Sequence, residues 1–146
     1  MAGTLKWDGD ATRARIRSAL AKRVSLASLS VWNHAKGLIN VEGTAVRAKA
    51  VRRGGKVVHR KGSLIHGANP SAPGDPPRKQ TGRLLGSVAW EVDPETLTGR
   101  VGTNLDYGRW LELGTRKMAA RPWLRRALGE MKSSILAILS APMGPR

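Results

Sequence analysis

The sequence lacks cysteine and phenylalanine altogether, and it contains one tyrosine and ten acidic residues among 146. Without cysteine the chain cannot form a disulfide, a thiolate metal site or a thiol nucleophile, and this composition fits a protein made in a reducing cytoplasm. No apolar run is long enough to span a bilayer, and the first residues lack the apolar region of a secretion signal. We therefore expect no membrane association and a core of aliphatic side chains and tryptophan.

Positive charge dominates what the sequence does contain. Lys and Arg number 26 against 10 Asp and Glu, which gives a formal net charge of +16. A charge of this size opposes compaction of a monomer by self-repulsion and attracts polyanions. The length suits one domain, so residues 1–146 are predicted to form a single unit.

A long amphipathic helix is predicted over residues 10–42. Apolar residues recur there at steps of three or four, the spacing of one helical face: Ile16, Leu20, Val24, Ala27, Val31, Ala35 and Leu38. Asp10 is the candidate N-cap, and Gly43 is a natural stop. A helix of roughly 30 residues is about 45 Å long, more than one small domain covers. We therefore expect part of this apolar stripe to pack on another subunit.

Residues 44–61 have the pattern of a basic β-hairpin. Apolar and basic residues alternate around Gly54-Gly55, a pair that favours a tight hairpin turn. The basic residues are Arg47, Lys49, Arg52, Arg53, Lys56, Arg60 and Lys61. Such charges mainly reach phosphates, and no aromatic residues are interleaved for base stacking, so we predict contact with nucleic acid without sequence preference. The alternative is a hairpin whose charges only keep it solvated.

The remaining segments predict a linker, a small sheet and helices. Residues 62–80 hold four prolines and three glycines and are predicted to be an extended linker without regular structure. Residues 84–104 are predicted to supply sheet strands, over 87–93 and 99–103, joined by a turn. Residues 105–140 are predicted to be helical.

Two helices are expected within this C-terminal part. The first covers 106–113 and is closed by Gly114, and the second starts with Pro122 in its first turn, where the missing N–H costs nothing. An apolar stripe on the second helix consists of Leu124, Leu128, Met131, Ile135, Ile138 and Leu139. The predicted fold class is α+β: a long N-terminal helix and a C-terminal helix packed on a small antiparallel β-sheet, with the basic hairpin and the Pro-rich linker inserted.

No catalytic or metal-binding pattern is present. Glu112 has no second carboxylate or histidine signalled nearby, so we assign it a structural role, either pairing with an arginine or accepting backbone N–H groups. His34, His59 and His66 lack metal-ligand spacing and a carboxylate partner, so zinc is not expected. The glycine-rich stretches match neither common nucleotide-binding pattern. We predict no enzymatic activity and no cofactor.

The C-terminal half carries the most distinctive motif. Gly102-Thr103 precedes Tyr107, Glu112-Leu113-Gly114-Thr115 follows, and Ala120-Arg121-Pro122-Trp123-Leu124 leads into a basic helix. Upstream, Pro73-Gly74-Asp75-Pro76-Pro77 is followed by Thr81-Gly82-Arg83-Leu84 and Ser87-Val88. This order closely resembles the small neck or tail-completion proteins of long-tailed bacteriophages, also described as minor tail components. The resemblance covers roughly residues 70 to 130.

The resemblance implies where the structural motif of this family lies. In the family, a strand ends in Gly-Thr, a Tyr opens a short helix that ends in Glu-x-Gly-Thr, and a Pro-aromatic pair starts the last helix. The matching positions are Gly82, Tyr107, Trp110, Glu112, Gly114, Thr115, Pro122 and Trp123. We expect positive φ at Gly114, and we expect Trp110 and Trp123 to be core or interface anchors. The long basic insertion between Val41 and Ser71 departs from the family.

The function implied is that of a structural virion protein at the junction of neck and tail. The expected complex is a ring of identical copies around the DNA channel, with a hexamer as one option for a number the sequence leaves open. Expected partners are the tail terminator, the head-completion or stopper ring, the tail tube or tape measure protein, and genomic double-stranded DNA in the lumen. Assembly is expected in the host cytoplasm.

Two other classes of protein compete with this interpretation. A basic nucleic-acid-binding protein of the nucleoid or ribosome is supported by the charge alone and leaves the Glu-x-Gly-Thr and Pro-Trp segments unexplained. A small nuclease would need clustered carboxylates or a histidine pair, and the acidic residues are spread along the chain.

Overall fold

The computed structural model describes residues 9–41 and 71–142 fully, and between them only the backbone of four short strands. The fold is α+β, as the sequence predicts. The long N-terminal helix packs on a two-stranded antiparallel sheet, and the last two helices pack on the same long helix.

Helix α1 runs from Gly9 to Ile39, 31 residues or about 46 Å. Asp10 lies inside its first turn, where a carboxylate suits the helix dipole, so the prediction of Asp10 as N-cap is wrong. The helix ends before the predicted residue 42. Asn40 still donates its N–H to Lys36 O at 3.0 Å, but Val41 O accepts the N–H of Lys79 at 2.9 Å, and this contact draws the chain out of helical geometry.

The apolar stripe of α1 is covered over only part of its length. Ala27, Val31, Ala35 and Ile39 are buried, whereas residues 10–18 are exposed throughout and Ile16 keeps 40% of its surface accessible. The domain therefore leaves the first part of the stripe uncovered, as its length predicts.

Four short strands follow α1: β1 (Val46–Arg47), β2 (Val51–Arg53), β3 (Lys56–Val58) and β4 (Leu64–Ile65). β2 and β3 pair antiparallel on either side of Gly54-Gly55, which is the predicted hairpin. β4 pairs antiparallel with β1, so the prediction of a linker without regular structure over 62–80 is wrong at Leu64–Ile65. The first proline of that segment comes only at Pro70, so both residues of β4 keep N–H groups that can pair.

The central sheet consists of β5 (Val88–Asp93) and β6 (Thr98–Thr103), preceded by helix α2 (Arg83–Ser87). The strands predicted over 87–93 and 99–103 are therefore confirmed to within one residue, and the short helix α2 before them was not predicted. Gly82, at φ 78, turns the chain into α2, and the Ser87 hydroxyl donates to Leu84 O at 2.8 Å. The two strands pair in register from Val88 opposite Thr103 to the tip.

The tip of this hairpin is closed by Asp93. Its carboxylate accepts the Thr96 hydroxyl at 2.7 Å and the Glu95 N–H at 2.9 Å. These hydrogen bonds, the one from Thr96 first, lower the pKa of Asp93. The turn predicted at Pro94-Glu95-Thr96 is therefore confirmed.

Three helices complete the fold: α3 (Asp106–Leu113), α4 (Leu124–Glu130) and α5 (Lys132–Ser140). The single last helix of the prediction is interrupted at Met131, whose φ of −88° and ψ of 0° depart from the helical values. It also begins later than predicted. Trp123 is the N-cap of α4, so Pro122 precedes the helix instead of occupying its first turn.

The core lies where the second half of α1 meets α2, β5 and α4. Its buried members are Ala35, Ile39, Leu84, Val88, Trp123 and Ala127. Trp32 packs beside them and donates its Nε1–H to Val88 O at 2.8 Å, which links α1 to the start of β5. The core is therefore aliphatic with one buried tryptophan at its centre, as the composition predicts.

The close approach of β6 to α1 gives a direct test of this packing. A Cβ at Gly99 would overlap the Ser28 hydroxyl and lie 3.2 Å from Val24 Cγ1, whereas a Cβ at Gly102 on the same strand would meet nothing within 4 Å. Gly99→Ala should lower the free energy of unfolding by about 1–3 kcal/mol through overpacking. Gly102→Ala should be neutral or stabilising by about 0.5 kcal/mol, since alanine restricts the unfolded chain. Urea denaturation of both variants measures this, and equal effects would contradict the close packing of β6 on α1.

Candidate assembly site

Glu112 joins helix α3 to helix α4. Its carboxylate accepts three backbone N–H groups at distances of 2.8, 2.9 and 2.8 Å, from Trp123, Leu124 and Arg125. These donors stand at the start of α4 and have no acceptor within the helix. The negative charge also lies at the positive end of the helix dipole. Of the two structural roles predicted for Glu112, the structure has the second, the acceptance of backbone N–H groups.

Trp123 is the buried anchor of this junction. Its side chain is 1% exposed, and its Nε1–H donates to Gly108 O in α3 at 3.4 Å. Gly108 must remain small, because a Cβ there would lie 2.5 Å from Thr103 Cγ2 at the end of β6. Trp123 is thus a core residue, as predicted. Trp110 is 54% exposed, so it is not a core residue, and its role as an interface anchor stays a prediction.

Gly114 ends α3 with a positive φ and a ψ of 176°, an extended conformation that is essentially limited to glycine. Its φ is 77°, as predicted, and its N–H donates to Trp110 O at 2.8 Å. A Cβ on Gly114 would lie 2.9 Å from Ala120 N and 3.0 Å from Met118 O. Both neighbours are backbone atoms that cannot rotate away, so the position excludes a side chain for two independent reasons.

The loop between α3 and α4 is held by backbone hydrogen bonds. Thr115 and Met118 form a small antiparallel bridge, with N–H to O distances of 2.8 and 3.2 Å. The side chain of Thr115 is exposed, and its hydroxyl accepts the Lys117 N–H at 3.3 Å. Arg121 donates its N–H to Leu111 O at 2.7 Å, which folds the loop back onto α3.

The same loop also binds the proline-rich segment upstream. Ala120 O accepts the N–H of Gly74 at 3.0 Å, and Arg121 Nε donates to Ser71 O at 3.1 Å. The two sequence blocks that carry the resemblance therefore contact each other. The predicted motif folds into one connected unit around the α3–α4 junction.

The remaining motif residues lie around this unit. Gly82 supplies the left-handed turn into α2, and Tyr107 is half-buried against the core. Pro122 is half-buried just before α4. Leu113, with 55% of its surface exposed, and Trp110 give α3 an outward apolar surface.

The predicted nucleic-acid residues fall within and around the four short strands that follow α1. Arg47, Arg52, Arg53 and Lys56 belong to short strands of which only the backbone is described. Lys49, Arg60 and Lys61 lie outside the described residues. The contact of this hairpin with DNA remains a prediction.

Sequence reasoning missed a hydrogen-bonded contact between α1 and α4. His34 Nε2 lies 2.6 Å from Glu130 Oε2, and Arg126 Nε donates to the other carboxylate oxygen at 2.9 Å. The expectation that no carboxylate partners His34 is therefore wrong. The hydrogen bond to His34, followed by that from Arg126, lowers the pKa of Glu130. No local pattern could reveal a pair separated by 96 positions.

An open apolar groove runs between α1, β6 and the last two helices, with a volume of about 640 Å³. Val24, Val31, Leu97, Leu124, Leu128 and Leu139 are among the residues that line it. Leu128 and Leu139 are 54% and 38% exposed, and Leu136 on α5 is 58% exposed. The apolar stripe predicted for the last helix is therefore only partly covered by the domain.

Within the described part of the chain, His, Asp and Glu side chains form no group of three that could hold a metal ion. None of the described helices has the length and apolar character needed to cross a bilayer. Comparisons with protein-family models, curated proteins and solved structures find no match to the chain. The structure thus defines an α+β domain with a capped helical junction and exposed apolar surface on several helices.

Proposed function

We propose that this chain is a structural protein of the bacteriophage head-tail connector, without enzymatic activity or cofactor. It forms a homo-oligomeric ring around the DNA channel and joins the head-completion ring to the tail terminator or tail tube. The observation that supports this proposal best is the apolar surface that the domain leaves exposed on both of its terminal helical regions. Its place in the virion would be the junction of neck and tail.

The exposed apolar residues lie on opposite parts of the chain. Ile16 and Leu26 of α1 are 40% and 56% exposed, and Leu128 and Leu136 of the last helices are 54% and 58% exposed. Contiguous apolar surface on a domain marks a contact with another protein, and Leu128 and Leu139 line one open groove. Two different surfaces that fit one another between identical copies generate a ring when the rotation closes.

The capped junction supports a structural role for the motif. Glu112 and Gly114 set the direction of α4 relative to α3 through contacts to backbone atoms. The outward surfaces of these helices are therefore held in one geometry before any partner binds. Preorganisation of this kind reduces the entropic cost of association, which suits a component that must fit into a stack of rings.

The ring is tested by sedimentation of the purified full chain. The wild-type protein should sediment as an oligomer of the 15.7 kDa chain, in moderate salt that screens its net charge. Leu136→Asp should shift the population toward monomer, because it places a charge on apolar surface. Ser134→Asp, an exposed position on the same helix, is the matched control and should leave the oligomer intact. A wild-type protein that stays monomeric at high concentration, with or without a candidate neck partner, would count against the ring.

DNA in the lumen is the predicted polyanionic partner, contacted through the basic hairpin. Changing Arg47, Arg52, Arg53 and Lys56 to glutamine should leave the stability almost unchanged, because the alternating sequence pattern predicts solvated charges and such charges contribute little. It should lower the slope of log affinity against log salt by about 0.9 for each phosphate that the variant no longer neutralises. Binding to duplexes of different sequence should be equal before and after. An unchanged slope would mean that the hairpin does not contact DNA. The basic face of α1 at Arg13, Arg17 and Arg23 would then be the better candidate.

A basic nucleic-acid-binding protein is the second candidate, and the net charge of +16 favours it. This second hypothesis predicts that the protein binds DNA tightly as a monomer and does not bind other neck proteins. Neighbouring genes for a portal and a major tail protein would favour the connector, and co-assembly with the tail terminator, stopper or tape measure protein would test it directly.

A further inference from the structure

A second concavity, the basic pocket, lies at the C-terminal end of α1 and has a volume of about 460 Å³. Its lining combines two kinds of side chain. Ile39, Leu84 and Leu111 supply apolar surface. The basic side chains that line it are Arg78, Lys79, Arg83 and Arg121. A cavity of this size accommodates a few side chains of a ligand, since small-ligand sites span about 300–1,000 Å³.

The three arginines of the basic pocket lack a carboxylate from the described part of the chain. No described acidic residue forms an ion pair with Arg78, Arg83 or Arg121. Arg121 uses its Nε–H for Ser71 O, which holds the guanidinium in place. Like charges gathered on one cavity repel each other, and an anion placed between them relieves that repulsion.

The carboxylates of the chain's own β5–β6 hairpin already accept hydrogen bonds from other residues of the chain. Glu91 accepts Arg100 Nη1 at 3.2 Å, Glu95 accepts Arg17 Nη1 at 3.0 Å, and Asp93 closes its turn. Glu112 and Glu130 are likewise occupied at the helix junctions. Most of the described acids are therefore engaged, and with 10 acidic against 26 basic residues a second copy of this chain is a sparse source of carboxylates for this pocket.

We propose that the basic pocket binds a short segment of a different protein in which acidic and aliphatic side chains alternate. The arginines pair with the carboxylates, and the apolar lining receives the aliphatic side chains. A DNA phosphate would use the charges but would leave the apolar surface without a partner, because a duplex presents no aliphatic group there. The proposal rests on the proposed function only in taking this protein to be another neck or tail component.

The test uses the full chain and a fluorescein-labelled peptide that alternates glutamate with leucine, followed by fluorescence anisotropy. The double variant Arg78→Gln and Arg83→Gln should bind this peptide about threefold to tenfold more weakly, since each exposed pair contributes up to about 1 kcal/mol. The matched control is Arg15→Gln with Arg125→Gln, which removes the same charge from exposed helical positions away from the pocket and should bind like wild type. Circular dichroism melting confirms that both variants fold.

Three further arms decide between occupants. A glutamine-leucine peptide and a glutamate-glycine peptide should both bind more weakly than the probe, because one lacks charge and the other lacks aliphatic groups. Equal binding by either peptide, or an equal weakening in the pocket and control variants, would overturn the proposal.

The third arm is competition by DNA. Displacement of the probe by a short DNA duplex more effectively than by the unlabelled peptide, with the pocket variant abolishing DNA binding, would also overturn the proposal. Ring formation by sedimentation is scored separately, so a failed pocket leaves the connector proposal standing, and the reverse also holds.

Discussion

Replacing Gly114 with valine is expected to lower the free energy of unfolding by about 2–4 kcal/mol. A β-branched residue is strained at the observed φ of 77°. Its Cβ would also press on Ala120 N and Met118 O, at 2.9 and 3.0 Å. Both atoms belong to the loop that connects α3 to α4. A displaced loop would change how these two helices are oriented, so the variant should impair assembly as well as folding. Urea denaturation gives the stability, and sedimentation gives the oligomer.

The matched comparison for Gly114→Val is Glu95→Ala in the surface turn. The Glu95 side chain is 79% exposed and its partner Arg17 is exposed as well, so its removal should cost less than about 1 kcal/mol. Gly114→Ala should fall between the two, since alanine tolerates positive φ better than valine but still meets the loop backbone. Equal stability and equal assembly of Gly114→Val and Glu95→Ala would refute the structural role of Gly114.

Glu112→Ala is expected to destabilise the domain by about 2–4 kcal/mol. Three N–H groups at the start of α4 would lose their acceptor at once, and the helix dipole would lose its counter-charge. The first turn of α4 carries Trp123 into the core, so the effect should reach the packing of α1. Hydrogen exchange should report faster opening at Trp123 and Leu124 than elsewhere in the core.

Two variants separate the cap from a general reduction of negative charge. Glu112→Gln keeps one acceptor oxygen and should cost about half as much as alanine. Glu91→Ala removes the same charge from an exposed pair with Arg100 and should change stability by less than about 1 kcal/mol. If Glu112→Ala and Glu91→Ala are equally stable, the carboxylate does not hold α4.

Several elements followed from local chemistry and could be predicted. The long helix follows from the spacing of Val24, Ala27, Val31 and Ala35, because one helical face repeats every three to four residues. The positive φ at the end of α3 follows from Gly114, because a residue without Cβ takes that conformation freely. These predictions depend on interactions within a few residues of the chain, which the order of residues states directly.

Other features depended on contacts between distant segments. Pro122 has the local chemistry of a helix start, yet α4 begins only after Trp123. The carboxylate of Glu112, which lies on α3, accepts the backbone N–H of Trp123 and so fixes where α4 begins. His34 contacts the carboxylate of Glu130 on α4. Of the two tryptophans in the motif, Trp110 is exposed and Trp123 is buried in the core. No pattern of spacing distinguishes these two tryptophans, since each lies within an apolar and basic segment.

The sequence by itself determined the α+β class, the long first helix, the aliphatic core with tryptophan and the strong positive charge. Each of these is a property of composition or of short-range periodicity, and neither depends on which segments pack together. Only the tertiary structure decided which end of α1 is covered, which carboxylate caps α4, and that Arg78, Arg83 and Arg121 line one cavity. Burial and charge pairing are set by neighbours in space, and those neighbours are remote in the chain.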